Sequence, residues 1–503
     1  MSAPRPHPTS PPELFRSELR VVSAGLGGFA AALRDQSVPV VELDWRPPAG
    51  GQVALVDILT ASYADAALSE RIERANQEVL RRIVDATPRI VDVAPAGQAM
   101  GLPERTLLHA GPPITWDRMC GPQQRAVLGA IQFEEWAADG VQAADLVARG
   151  RVTLRACHCY NAVVPMAGII SPSMPVLVAR NEPFGNLAFS TFNEGRGNTL
   201  WFGVYDEGTL ERLRWIRDTL GPAMGAAIRE GGPLSVFDIV AQGLQMGDDC
   251  HARSAACTAL LVKRLTASML DAGVDRHAVA AFLRYADDNN HCFLNFTMAA
   301  AKATMDAAHG VPDSTIVTAM SRNGVDFMLR VAGLGNRWLI APASRMDEAV
   351  YYTGYSVEDA AGDIGDSAII ESCGLGGMAI AAAPSLAPFI GGSLAHAVAA
   401  VDELFTIAAG THPRFRLSTM EGHNTPLGID LRRVVETRIV PFITTGVLHA
   451  SSPTVGQIGT GVARAPIAVF DAALVALAHA WGPPTNLPPP GGVHIEPAPG
   501  TPR

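Results

Sequence analysis

The chain has 503 residues, 48% of them apolar, and a formal net charge of −10, which leaves room for two to four domains with substantial buried cores. The acidic balance, with no Lys/Arg cluster to offset it, argues against nonspecific binding to nucleic acid or to an anionic membrane surface. Seven scattered cysteines without a CxxC pair read as reduced thiols. The opening MSAPRPHPTSPPELF lacks the apolar core of a signal peptide, and no later run reaches membrane-spanning length without Gly, Pro or charge. A cytoplasmic protein is expected.

In chain order, residues 1–14 are Pro-rich and read as disordered. Arg20–Ala24 reads as a buried strand, Phe29–Gln36 as a helix and Val38–Leu43 as a second strand, a βαβ unit. Its turn carries Gly25-x-Gly27-x-x-Ala30, the relaxed dinucleotide fingerprint, and Asp44 lies roughly 20 residues on. Gly-rich turns are frequent in a chain with 48 glycines, and Asp44 runs into the rigid Trp45-Arg46-Pro47-Pro48. The favoured reading is therefore a Rossmann-like fold without a dinucleotide, because fold and cofactor are separate claims. Residues 63–86 form a charged amphipathic helix, Arg89–Val93 and Leu107–Ala110 strands, and Arg125–Ala138 a helix. Further helices are expected at Leu210–Leu220 and Val236–Leu244. The organisation is α/β multidomain: a Rossmann-like domain over 15–115, a second α/β domain over 116–240, a helical segment over 241–310, a C-terminal α/β domain over 311–480, and a disordered tail over 481–503.

Residues with chemical potential concentrate in a few stretches. In Gln245–Leu265, Asp248 or Asp249 can cap a helix running from Asp249 to about Leu270, which puts His251 and Arg253 near its positive end, suited to a small charged substrate. Simple capping with an Asp–Arg pair explains the same residues. Asp287-Asp288-Asn289-Asn290-His291 reads as the start of a helix reaching Ala308, with His291, Asn295, Met298 and Lys302 on one face. Such a stripe faces either water or a partner. Ser314–Met320 and Val325–Val331 read as strands joined by Ser321-Arg322-Asn323-Gly324, whose Asn-Gly marks a hairpin with Arg322 at its tip.

Cys157-His158-Cys159 lacks a second Cys/His pair at finger-like spacing, so zinc is discounted; Asn161 beside it either orients a polar substrate or belongs to a satisfied, half-buried pair. Gly374-Leu375-Gly376-Gly377 lets backbone amides approach an anion, or packs tightly. Thr444-Thr445-Gly446 reads as a turn. A Walker pattern, GxxxxGK[ST], is absent.

Several long motifs in one order resemble the YlbE/YahG-like proteins: VVSAGLGGFAAALRDQSVPVVELDWRPPAGG, HAGPPITWDRMCGP, PMAGIISPSMPV, MGDDCHARSAACTALL, NNHCFLNFTMAAAKA, VTAMSRNGVDF and DIGDSAIIES. The resemblance runs from about Leu19 to Phe470. It implies a subunit of oxamate carbamoyltransferase, an enzyme of anaerobic allantoin breakdown, acting with an FdrA-like protein and one further subunit; self-association is left open. The reaction would be carbamoyl phosphate plus oxamate giving oxalurate and phosphate, or the reverse.

Such a transfer needs positioned donors and no cofactor. Arg253, Lys302 and Arg322 are the candidate anion clamps, His251 and His291 the proton carriers, and Asp249 the group that positions His251 or accepts from the carbamoyl NH2. Asn161 and Asn295 would orient the amide, with Asn323 beside Arg322. Two alternatives stay open. One is a metal-assisted amidohydrolase drawing ligands from His251, Asp248, Asp249, His291, Asp363 and Asp366. The other is a noncatalytic assembly subunit.

Overall fold

The helix Leu294–Ala307 is buried on every side, with each residue from Leu294 to Met305 withdrawn from solvent, as its alanine-rich, nearly uncharged sequence permits. A computed structural model describes residues 19–24, 27–43, 45–390, 392–482 and 491–495. One face of this helix packs on the strands Pro88–Pro95, Pro175–Asn181 and Leu187–Thr191, and another meets the short helix Ile369–Ser372. Those strands belong to a five-stranded sheet completed by Leu234–Ser235 at one edge and Ala162–Val163 at the other. Its pairings are antiparallel apart from the last, between Ala162–Val163 and Leu187–Thr191.

A second five-stranded sheet is antiparallel throughout, in the order Ile364–Gly365, Val317–Asn323, Asp326–Val331, Arg337–Pro342, Val493–His494. The Asn323-Gly324 turn joins two of its strands as expected, with Gly324 at φ 82°. Val493–His494, within the segment read as a disordered tail, adds the edge strand against Arg337 and Trp338. A third sheet, Val350–Tyr351, Gln457–Arg464 and Phe442–Leu448, supplies one wall of the cavity described below.

The architecture is mixed α/β with several sheets. The N-terminal βαβ unit forms, with Val21–Ala24 and Val40–Leu43 parallel in register and the helix Gly27–Asp35 between them. No other strand of the described residues joins this pair. The first strand, read as buried, is half exposed, with Val22 65% accessible. Gly25 and Asp44 of the fingerprint lie outside the described residues.

Two local readings are corrected and one open alternative is decided. Asp287 and Asp288 close the helix Arg276–Asp288, and the helix expected to start there begins at Leu294 after a turn. The polar stripe faces the interior: Asn295 Nδ2 lies near Ser190 and Thr191 hydroxyls at 3.4 and 3.3 Å. Lys302, 1% exposed, donates to Asp306 at 2.8 Å, and Asp306 also receives Arg330 at 2.8 Å. Arg322, expected at an exposed hairpin tip, is fully buried in its strand, donating to Asp363 at 2.7 and 2.9 Å and to the Gly365 carbonyl at 2.6 Å. Lys302 and Arg322 are charges in the interior that carry their counter-charges with them, since an unpaired buried ion costs several kcal/mol.

Asp306 serves two cations at once, which hold its carboxyl well below the usual range against the opposing effect of burial. Asp306→Ala leaves Lys302 and Arg330 buried without a counter-charge and should destabilise the fold by roughly 3–5 kcal/mol, read as a lowered denaturant midpoint.

Candidate functional site

A cavity of about 800 Å³ opens among the loop Gly195–Asn198, the segment His251–Ala255, the turn Asn289–His291 and the strand carrying Thr444–Gly446. Arg196, Arg253, His251 and His291 line it, and among the described residues no Asp or Glu does. In a chain of net charge −10, this is a local inversion of the overall balance. Cations and hydrogen-bond donors without facing carboxylates suit a small anion.

The loop Gly247–Ser254 is built by two buried acids with different jobs. The helix starts at Ala255, six residues later than the sequence suggested. Asp248 caps it from a distance, accepting from the Ala256 and Cys257 amides at 3.2 and 2.8 Å, and from Arg253 Nη1 at 2.5 Å. Asp249 folds the loop itself, accepting from the amides of His251, Ala252 and Arg253 at 3.1, 3.2 and 2.7 Å and from Thr444 Oγ1 at 3.3 Å. Burial pushes the Asp249 carboxyl above its ordinary range. It stands behind the lining and supports the peptide that carries His251.

His251 Nδ1 lies 2.6 Å from Glu371 Oε1, a fully buried carboxylate. The same oxygen accepts from the Gly377 amide at 3.1 Å and the Thr444 amide at 3.3 Å. Donation of Nδ1–H to Glu371 fixes the tautomer and leaves Nε2 with its lone pair. Gly376 permits this contact: at φ 59°, a Cβ there would lie 2.4 Å from Glu371 Oε1 and 3.0 Å from His251 Cβ. The glycine cluster thus does bring an amide to an anion, and the anion is the protein's own Glu371.

His291 shares the cavity, and burial above all pulls its pKa to about 3. It stays neutral across the physiological range and serves as a hydrogen-bonding group, not as a cation. Arg322 sits one layer back: its Nη2 reaches Thr445 Oγ1, a lining residue, at 3.4 Å. Thr444 and Thr445 lie in the strand Phe442–Leu448 and not in a turn.

The structure leaves six of the proposed residues off the cavity wall: Asp249 and Arg322 just behind it, and four others. Asn295 and Lys302 are held inside the helix packing described above. Asn323 donates to the Pro112 carbonyl at 3.1 Å and accepts from the Val325 and Asp326 amides at 3.0 and 2.7 Å. Asn161, at φ 53°, caps the turn Cys157–Tyr160.

Sequence reasoning missed Glu371 and Arg196. Both carried a signal: a lone acid flanked by Ile369, Ile370 and Cys373, and an arginine between two glycines.

Among the described residues no three His, Cys, Asp or Glu side chains gather so as to hold a metal ion, and no helix is long and apolar enough to cross a membrane. Of the acids considered as ligands, Asp363 is occupied by Arg322, while Asp366 accepts from the Gly111 and Val164 amides at 2.9 and 3.0 Å and from Ser321 Oγ.

The carboxylate of Glu194, at the root of the Gly195–Asn198 loop, accepts from the Leu200 and Trp201 amides at 2.6 and 3.3 Å. Burial raises its pKa from 4.5 to about 7, against those amides and Arg212. A carboxyl with a raised folded pKa contributes stability that is complete below its unfolded value and lost as pH rises through the folded one. The Glu194→Gln variant should therefore gain on the parent by roughly 2–3 kcal/mol between about pH 4.5 and 8, which paired urea melts across that range would measure. Parallel curves for the two proteins would be the contrary result.

Residues 152–367 match the profile of a family described as oxamate carbamoyltransferase subunit AllG. The oxamate carbamoyltransferase subunit AllG of Escherichia coli (strain K12) is 42% identical over 415 residues, 82% of this chain and 99% of that protein. The YahG protein of the same strain is 37% identical over 470 residues, 93% of this chain and 99% of its own length. A crystal structure of a conserved protein of unknown function from Enterococcus faecalis V583 superposes with a TM-score of 0.80 at 39% identity, covering 82% of this chain and 99% of that one. Identity of this order across nearly the full length of each relative places the chain in the AllG/YahG-like family.

Proposed function

We propose that the chain is a subunit of an oxamate carbamoyltransferase-type enzyme and that the carbamoyl group is transferred in the cavity at His251. The observation that carries this reading is an imidazole held by a buried carboxylate, His251 on Glu371 at 2.6 Å, opening on a cavity lined by cations and without acids among the described residues. The identity to a protein named as a subunit of that enzyme supplies the substrate class.

In the forward direction the oxamate nitrogen attacks the carbamoyl carbon of carbamoyl phosphate. The C–N bond forms, the C–O bond to phosphate breaks, and one N–H proton leaves the nitrogen. His251 Nε2 takes that proton, and the Glu371 carboxylate stabilises the imidazolium that results. Asp249 acts by shaping the peptide at His251, and Arg322 by holding Thr445. The neutral His291 provides a donor for the carbamoyl oxygen as charge develops on it. The reverse reaction, phosphorolysis of oxalurate, uses the same groups with the proton returned to nitrogen. An FdrA-like protein and a further subunit complete the enzyme in this reading, in a cytoplasmic setting.

In a complex reconstituted with those partners, His251→Ala should lower phosphate release from carbamoyl phosphate and oxamate by about 10²–10⁴-fold. Glu371→Gln should lower it by about 10²-fold and displace the pH–rate profile, with assembly by size-exclusion chromatography unchanged for both. Normal turnover by two correctly assembled variants would move the chemistry to another subunit.

A further inference from the structure

The residue just before the helix Ala255–Asp271 starts it through its carbonyl, which accepts from the Thr258 amide at 2.8 Å, while its side chain has no visible structural task. Ser254 is 1% exposed and lines the cavity, yet it makes no side-chain cap bond and among the described residues its Oγ has no hydrogen-bond partner. The reason is Asp248, which has already taken the Ala256 and Cys257 amides at 3.2 and 2.8 Å. Asp248 in turn is offset by Arg253 at 2.5 Å, so the mouth of this 17-residue helix retains the positive end of its dipole. A buried hydroxyl without a partner in a polar cavity is a group waiting for a ligand.

A second group in the same cavity is also unclaimed. Arg196 stands between Gly195 and Gly197, at φ 100° and 74°, on a loop whose two ends are tied together. Arg212 Nη1 donates to the Glu194 and Asn198 carbonyls at 3.3 and 3.1 Å, and Glu194 anchors the returning strand of chain at Leu200. Among the described residues Arg196 makes no ion pair, whereas Arg253, Lys302 and Arg322 are each engaged by an aspartate.

We propose that Ser254 Oγ–H and the Arg196 guanidinium form a subsite for a phosphate dianion at the N-terminal end of the helix Ala255–Asp271. The assignment rests on the carbamoyltransferase reading for its source, the phosphoryl group of the donor and the phosphate product, and it moves the anion clamp from Arg253 to Arg196. A phosphoryl group has three free oxygens to offer a hydroxyl and a guanidinium fork; a planar carboxylate has two.

The test is calorimetric titration of the full chain with inorganic phosphate at constant ionic strength. Saturable binding is expected, weakened about tenfold or more by Ser254→Ala and by Arg196→Gln, and unchanged by Arg345→Gln on the exposed surface. Because Ser254 Oγ has no partner, Ser254→Ala should melt with the parent, which separates loss of the subsite from loss of the fold. Absence of saturable binding by the parent, equal binding by all variants, or equally strong binding of oxamate with the same dependence on both residues overturns the proposal. Phosphate binding that follows these residues, in a chain whose assembled complex performs no carbamoyl transfer, keeps the subsite and removes the reaction. Carbamoyl transfer that depends on His251 while phosphate ignores Ser254 and Arg196 does the reverse.

Discussion

The carboxylate of Glu371 joins segments distant in sequence at one oxygen. Through that atom the loop bearing His251, the strand bearing Thr444 and the glycine turn at Gly377 are brought together. Burying a carboxylate is expensive unless hydrogen bonds replace its water, so the acid and its donors specify one another. Any arrangement that frees His251 strands a charge in the interior. The opposite oxygen, Oε2, has no partner among the described residues, so the pair leans on the bonds made at Oε1. Gly376 belongs to the same constraint, because a side chain there would occupy the space where acid and imidazole meet.

The same logic recurs in Asp249, Asp363 and Asp366, each of which is fully buried or nearly so and gathers donors from other parts of the chain. Asp366 binds amides from two separate segments and a hydroxyl from a third, and burial lifts its pKa to about 6 despite these donors. The sheets are several and mostly small, so these acids do work that a continuous sheet would otherwise share: they fix the relative placement of strands that do not pair. Arg322 illustrates the result. It reaches Asp363, Gly365 and Thr445, and so connects the second five-stranded sheet to the cavity wall without entering the cavity.

Periodicity and turn chemistry made the elements legible. The Asn323-Gly324 hairpin, the βαβ unit at the N-terminus and the amphipathic stretch before Asp85 follow from local preference, although the last divides at Asp65, whose side chain caps a second helix. Burial was the harder quantity. Lys302 and Arg322 look like solvent-facing cations because a charged residue is mostly found outside, and their counter-ions Asp306 and Asp363 carry no mark in the sequence that names them as partners. In Met246–Arg253 the density of functional groups was informative, and His251 and Arg253 do line the cavity together with His291. What linear text could not supply was the crossing of distant segments: Glu371 is 120 positions from His251.

The absence of acids from the cavity lining among the described residues, set against a chain of net charge −10, has a kinetic consequence. An approaching anion first meets an unfavourable field from the body of the molecule and only near the mouth the favourable one of its cations. At physiological ionic strength the screening length is about 8 Å, so the long-range repulsion is damped while the close contacts persist. Added salt would therefore act in two senses, easing approach and weakening the hold. Extended polyanions, which keep most of their charge outside the cavity, are disfavoured by the very field that compact ones have only briefly to cross.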